Sequence, residues 1–167
     1  MPDDLAGACE ALLREAGCSR RVREHCRAVR DLAMEYAQAP GLANRRVLEA
    51  GAFLHDIGRG VTHNIHHAHE GAAYCRRHGI LEAVARVVEC HTWAGLTADE
   101  CTLLRLLPVD CVPRSLEERV VANADNLVRG PRRITMEERM NRAFSLPRRT
   151  RRRIYRLWLE VEMFHDR

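Results

Sequence analysis

Lysine is missing from this chain: all 27 basic side chains of its 167 residues are arginines. The net charge of +4 is therefore carried by guanidinium groups, which stay ionised and grip oxyanions in a planar fork. Biased codon usage accounts for that choice equally well. Aromatic residues are also scarce, and three phenylalanines, three tyrosines and two tryptophans leave few stacking platforms for single-stranded nucleic acid. No apolar run approaches the roughly 20 residues that cross a bilayer. The start, Met1-Pro2-Asp3-Asp4, is acidic where a secretory leader is basic. A membrane span and a signal peptide are excluded on this reading, and a cytoplasmic protein is expected.

Paired cysteine motifs are lacking too. Cys9, Cys18, Cys26, Cys75, Cys90, Cys101 and Cys111 form no C-x-x-C pair and are odd in number. They read as reduced, mostly buried thiols. There is no internal repeat, low-complexity tract or linker, so one domain over residues 1–167 is expected, with enough apolar content (46%) for a buried core.

What is present is helical periodicity. Apolar positions return every three or four residues, and strictly alternating stretches are almost missing, which predicts an all-α bundle of about six to eight helices. Helical segments are expected at 3–16, from Ser19 to Tyr36, and at 45–56, 67–78, 81–91, 99–107, 116–128, 136–144 and 148–165. Val22, Cys26, Val29, Leu32, Ala33 and Tyr36 form the apolar face of the second, which stops at Pro40-Gly41. Thr97-x-x-Glu100, Ser115-x-x-Glu118 and Thr135-x-x-Glu138 each fit a capping box.

The residues that carry chemistry are histidines and aspartates. The adjacent pair His55-Asp56 joins an imidazole to a carboxylate at the end of a helix and is followed by Ile57-Gly58-Arg59-Gly60, whose glycines allow close backbone approach. His25 lies upstream; His63, His66, His67 and His69 crowd the segment after the pair; His91 and Asp125 follow. Asp125 sits among Val120, Val121, Ala122 and Leu127, where a charge needs a cation.

The order His25, His55-Asp56, Asp125 resembles that of the HD-domain superfamily of metal-dependent phosphohydrolases, over roughly residues 20 to 130. The run from His55 through Gly71-Ala72 is similar to a small, mainly archaeal branch of it. The resemblance implies that His25, His55, Asp56 and Asp125 hold one divalent ion. His67, in a His-x-x-x-Gly-Ala signature, and His91, in a His-Thr element, would hold a second, as in two-metal relatives. Thr62 and His63 recur beside the metals in that branch, so His63 is expected to bind substrate or protonate its leaving oxygen, with a plain loop histidine as the alternative. Mixed imidazole and carboxylate donors suit iron(II), manganese, cobalt, nickel or zinc better than magnesium.

The implied activity is phosphohydrolase or phosphodiesterase chemistry on a small phosphate ester, nucleotide or cyclic phosphate, with Asp56 orienting a metal-activated hydroxide. Arg59 is expected to hold a phosphate; its bland alternative is to neutralise a helix end. His25 read alone would be a polar position between Arg23, Glu24 and Arg27, and His66 and His69 read as solvated helix-surface residues. No Gly-Tyr-Pro element follows the metal motif, which disfavours cyclic di-GMP cleavage. The other class of function is polyanion or RNA binding through Arg129, Arg132, Arg133 and the segment Arg148-Arg149-Thr150-Arg151-Arg152-Arg153, with Arg156. Against it, Ile154, Leu157, Trp158, Val161 and Phe164 make an apolar face that leaves those arginines as the wet side of a helix. That face could cover a partner as easily as the chain's own core, and oligomeric state is not legible.

Overall fold

The computed structural model describes residues 4–165. Asp3, placed by periodicity in the first helix, lies outside them. Helix α1 (Leu5–Glu15) starts where Asp4 accepts the Gly7 amide at 2.8 Å, and α2 (Arg20–Met34) where Ser19 accepts that of Val22 at 3.3 Å. Asn44 caps α3 (Arg45–Leu54) by accepting from Arg46 and Val47. A 3-10 turn (Ile57–Gly60) leads to α4 (His67–Arg77), α5 (Glu82–Cys90), the short α6 (Ala98–Leu103) and α7 (Leu116–Asn126). A two-stranded hairpin, β1 (Val128–Arg129) and β2 (Arg132–Arg133), precedes α8 (Met136–Arg142) and α9 (Arg148–His165). The all-α expectation holds, with nine α-helices among the described residues where about six to eight were expected.

Helix α3 is the middle of the bundle. It packs on α1, α2, α5 and α7, and from Val47 to Leu54 all but Glu49 are buried. Gly51 makes its approach to α5 possible, since a Cβ there would stand 2.6 Å from Val87 Cγ1. The face predicted for α2 is the buried one: Cys26, Val29 and Ala33 are fully enclosed, and Leu32 and Tyr36 nearly so. Helix α9 lays Ile154, Leu157 and Val161 against α7 and the chain's own core.

Several boundaries differ from the periodicity for local reasons. Helix α3 stops at Leu54 rather than Asp56, because the chain tightens into the 3-10 turn. Helix α6 ends at Leu103, short of 107: Arg105 takes a positive φ of 59° and the Leu106 amide closes on the Cys101 carbonyl at 2.8 Å. Helix α7 ends at Asn126, and the hairpin, turning at Gly130 with φ 59°, is too short to show as alternation. Two of the three capping boxes are complete; at Ser115 the Glu118 carboxylate instead accepts from Arg114 at 2.8 Å.

Candidate metal centre

Six residues that are scattered in sequence meet at one end of the bundle. His25 reaches in from the middle of α2, His55 and His91 stand at the C-caps of α3 and α5, and Asp125 lies in the last turn of α7. Asp56 opens the 3-10 turn and His67 opens α4. Helices α3, α5 and α7 have no basic residue in their last turns, so three partially negative helix ends meet here without a cation of their own. His55 and His91 are enclosed; the side chains of Asp56 and Asp125 are 11% and 24% exposed.

Every imidazole is fixed in the same way. Nδ1 of His25 bonds the Gly130 carbonyl at 2.9 Å, that of His55 the Ala52 carbonyl at 2.8 Å, that of His67 the Asn64 carbonyl at 2.8 Å and that of His91 the Val88 carbonyl at 2.7 Å. A carbonyl only accepts, so each Nδ1 carries the proton and each Nε2 faces the centre, the tautomer that metal-binding histidines use. Nε2 of His55 is buried with no hydrogen-bond partner, an arrangement that disfavours an empty apolar environment and suits an electrophile.

The carboxylates divide the cluster. Oδ1 of Asp56 lies 3.3 Å from His67 Nε2 and 3.6 Å from His91 Nε2, and its Oδ2 lies 3.9 Å from His55 Nε2 and 4.0 Å from His25 Nε2. Oδ1 of Asp125 is 3.0 Å from His25 Nε2 and 3.5 Å from His55 Nε2. His67 and His91 stand Nε2 to Nε2 at 3.1 Å. Asp56 thus presents one oxygen to each pair of imidazoles.

Electrostatics follow the geometry. Burial works against a charged His25, but the hydrogen bond to Asp125 and the charges of Asp125 and Asp56 outweigh it and raise its pKa to about 9. Burial, reinforced by His91, pushes His67 down to about 4. His91 is raised, because the bond to Asp56 and both carboxylate charges overcome its burial. Burial would lift Asp56 and Asp125, yet the imidazoles around them hold both well below the usual carboxylate range.

Beside the cluster is a hollow of about 230 Å³, walled by His67, His91, Asp125, Trp93, Arg59 and His63 among others. Arg59 is committed on two sides: its Nε bonds Asp56 Oδ1 at 3.1 Å and its Nη1 the His63 carbonyl at 2.7 Å. His63 is exposed at the rim. Thr62 is not part of the wall; its hydroxyl accepts from the Asn64 amide at 3.4 Å. A second hollow of about 160 Å³ shares Trp93 and Asp125 and adds Arg129, Arg139 and Arg142. Trp93, Arg139 and Arg142 were not singled out from the sequence, although Trp93 directly follows the His91-Thr92 element; nothing in the spacing of the two arginines connects them to a histidine. His66 is half-buried, its amide on Asn64. His69 is not a solvated surface residue: it is half-buried, with Nε2 3.8 Å from Cys111 Sγ.

A helical bundle that gathers four inward-facing imidazoles and two carboxylates at its helix ends can hold a divalent metal. More particularly, the chain belongs to the HD-domain family, whose model matches residues 22–130. It is 41% identical over 127 residues to an uncharacterized protein of Methanocaldococcus jannaschii, covering 72% of this chain and 74% of that one. Over 142 residues it is 38% identical to a Picrophilus torridus protein named tRNA (cytidine(56)-2'-O)-methyltransferase, covering 85% of this chain and 41% of that one. The same name and 38% identity hold for a Thermoplasma volcanium protein, with 83% and 40% covered. The chain thus spans about two fifths of these methyltransferases. These relatives agree with the archaeal-type branch. The HD domain of the L. monocytogenes phosphodiesterase PgpH has the same fold: TM-score 0.53, 16% identity, 91% of this chain and 97% of that one. Its complex with cyclic-di-AMP gives a TM-score of 0.54 over 94% of this chain and 98% of that one. HD domains bind divalent metals and form a superfamily of phosphohydrolases. Among the described residues no helix is long and apolar enough to cross a membrane.

Proposed function

We propose that the chain is a two-metal phosphohydrolase acting on a small phosphate ester, nucleotide or cyclic phosphate. The observation that carries this reading is the division of Asp56, with one carboxylate oxygen toward His67 and His91 and the other toward His25 and His55. His25, His55, Asp56 and Asp125 would hold one ion, and Asp56, His67 and His91 the other. The donor set favours iron(II), manganese, cobalt, nickel or zinc. Such a pair supplies Lewis acidity toward phosphate oxygens and a water acidified toward neutrality.

The protein's own part is positioning. Backbone carbonyls behind the four rings keep every Nε2 lone pair turned inward. Arg59 holds Asp56 in its shared orientation and lines the hollow, where a phosphate oxygen can meet its guanidinium. His63, which lines the hollow at its rim, would give a proton to a leaving oxygen. Thr62 has no place in this scheme. Trp93 and Ile65 form the apolar wall against which a ring can lie. At about 230 Å³ the hollow is below the usual range of about 300–1,000 Å³ for ligand pockets, which favours a small substrate over a long one.

The first test is metal content of protein purified anaerobically without chelators, followed by a screen of cyclic phosphates and nucleotides. Two transition-metal ions at the cluster and metal-dependent turnover are expected. Turnover undiminished in metal-free buffer would overturn the proposal.

A second reading is favoured by one observation: a hollow of about 690 Å³, larger than the one at the cluster, lies along α9, lined by Arg119, Arg148, Arg149, Arg152, Arg153 and Arg156. With relatives named as tRNA methyltransferases, this is where an RNA or other polyanion would lie. Steep weakening of binding with salt would favour it, whereas small-substrate turnover should persist.

A further inference from the structure

Three of the seven cysteines converge on a fourth group at a place the HD centre does not use. Cys90 ends α5, Cys101 sits inside α6, Cys111 lies in the extended segment after it, and His69 projects from the first turns of α4. All three thiols are at least 98% buried. One ligand atom each from His69, Cys101 and Cys111 lies within 4.8 Å of the others, and Cys90 is packed with Cys101 and Cys111 in the same buried cluster.

We infer that His69, Cys90, Cys101 and Cys111 form a structural zinc site, separate from the HD centre and independent of the function proposed for it. Buried cysteines ordinarily behave as small apolar side chains and pack among aliphatic ones. Here they meet one another instead, in a satellite cluster whose only other fully buried members are Leu96 and Leu106. The histidine is anomalous in the same way. Its Nε2 lies 3.8 Å from the Cys111 sulfur, and its Nδ1 is buried without a hydrogen-bond partner among the described residues, whereas all four histidines of the HD centre anchor Nδ1 on a carbonyl.

The chemistry of the set is selective. Thiolates with one imidazole are soft donors that favour zinc, and four of them close the tetrahedral shell, leaving no position for catalysis. With zinc–sulfur bonds of about 2.3 Å, the edges of that tetrahedron are about 3.8 Å long. The ligand atoms of His69, Cys101 and Cys111, all within 4.8 Å of one another, stand within about 1 Å of that edge. The need is equally plain: residues 92–115 contain α6 as their only helix, and that helix has six residues. Four ligands from four segments would clamp this stretch to α4 and α5, and with it Thr92 and Trp93, which wall the small hollow.

Cobalt(II) reads the site directly, because a thiolate-to-cobalt charge-transfer band requires sulfur ligands and the HD centre offers none. The band is expected in the wild-type chain, unchanged in a His55→Ala, Asp125→Ala variant, and lost in Cys101→Ser and in Cys111→Ser. Its absence from folded, cobalt-loaded wild-type protein would overturn the site, as would its persistence in both serine variants. Because those variants lose the staple itself, the second measurement leaves all four ligands in place. Zinc absorption spectroscopy of the His55→Ala, Asp125→Ala background should find sulfur neighbours at about 2.3 Å. Only nitrogen and oxygen neighbours, or a disulfide joining two of Cys90, Cys101 and Cys111 in a peptide mass map, would refute the site.

Discussion

Asp56 is the residue on which the two halves of the cluster depend, because each of its oxygens faces a different pair of imidazoles. Asp56→Asn keeps the shape and removes the charge. It should lower turnover more than about 100-fold, since loss of partners merely behind metal ligands already costs 10- to 100-fold. Metal content measured on the same protein should fall from two ions to one or none. The metal-free chain should also show an unusual pH dependence of stability. His25, raised from 6.5 to about 9, contributes stability that is complete below 6.5 and lost as pH rises through 9. His67, lowered from 6.5 to about 4, costs stability as pH falls from 6.5 toward 4, because the unfolded chain then binds the proton the folded one refuses. Thermal melts of metal-free protein should therefore peak near pH 6.5 and decline on both sides; a flat profile from 4 to 9 would count against the observed ring geometry. Metal should flatten the alkaline limb by displacing the His25 proton. At this scale the six clustered residues were legible through their order along the chain. The carbonyl behind each ring was not, because backbone partners leave no trace in residue identity, and neither was the commitment of Arg59 to Asp56.

Between elements, the close contact that brings His67 to Asp56 depends on glycine. A Cβ on Gly58 would overlap the His67 carbonyl and stand 2.6 Å from the Gly71 amide, so the 3-10 turn and α4 touch backbone to backbone. Gly58→Ala should destabilise the chain by about 1–3 kcal/mol, as overpacking does, and calorimetry with and without metal should show that most of the lost affinity belongs to the ion held by His67 and His91. The glycines were visible in sequence as helix breakers, but not what they approach. The hairpin was missed for a similar reason: two residues per strand give no period, yet Gly130 in its turn supplies the carbonyl that orients His25. The sulfur cluster was hidden because residues 69, 90, 101 and 111 have none of the short spacings that advertise a zinc site, and only the fold brings His69, Cys101 and Cys111 together.

Across the whole molecule, the arginine-lined hollow and the His-Asp cluster are separate features joined through α9. Arg153 donates to the Gly95 carbonyl at 2.8 Å and to both oxygens of Glu100, tying the basic helix to the stretch that carries Trp93. Arg149→Glu with Arg152→Glu reverses charge in the groove without touching that tie. It should change turnover of a small phosphate ester less than about twofold, since exposed charges couple weakly over distance, while retention of RNA at low salt, measured by filter binding, should drop steeply. Loss of turnover in this variant would mean that the groove belongs to the substrate site. The apolar side of α9 was legible as a stripe, and its Ile154, Leu157, Trp158 and Val161 pack against the chain's own core.

Trp93 stands between the two small hollows, and the chain's other indole, Trp158, is on α9. The centre therefore contains its own optical reporter. With Trp158 replaced by phenylalanine, emission from a single indole would follow whatever enters either hollow, ion or phosphate, in real time and without any label.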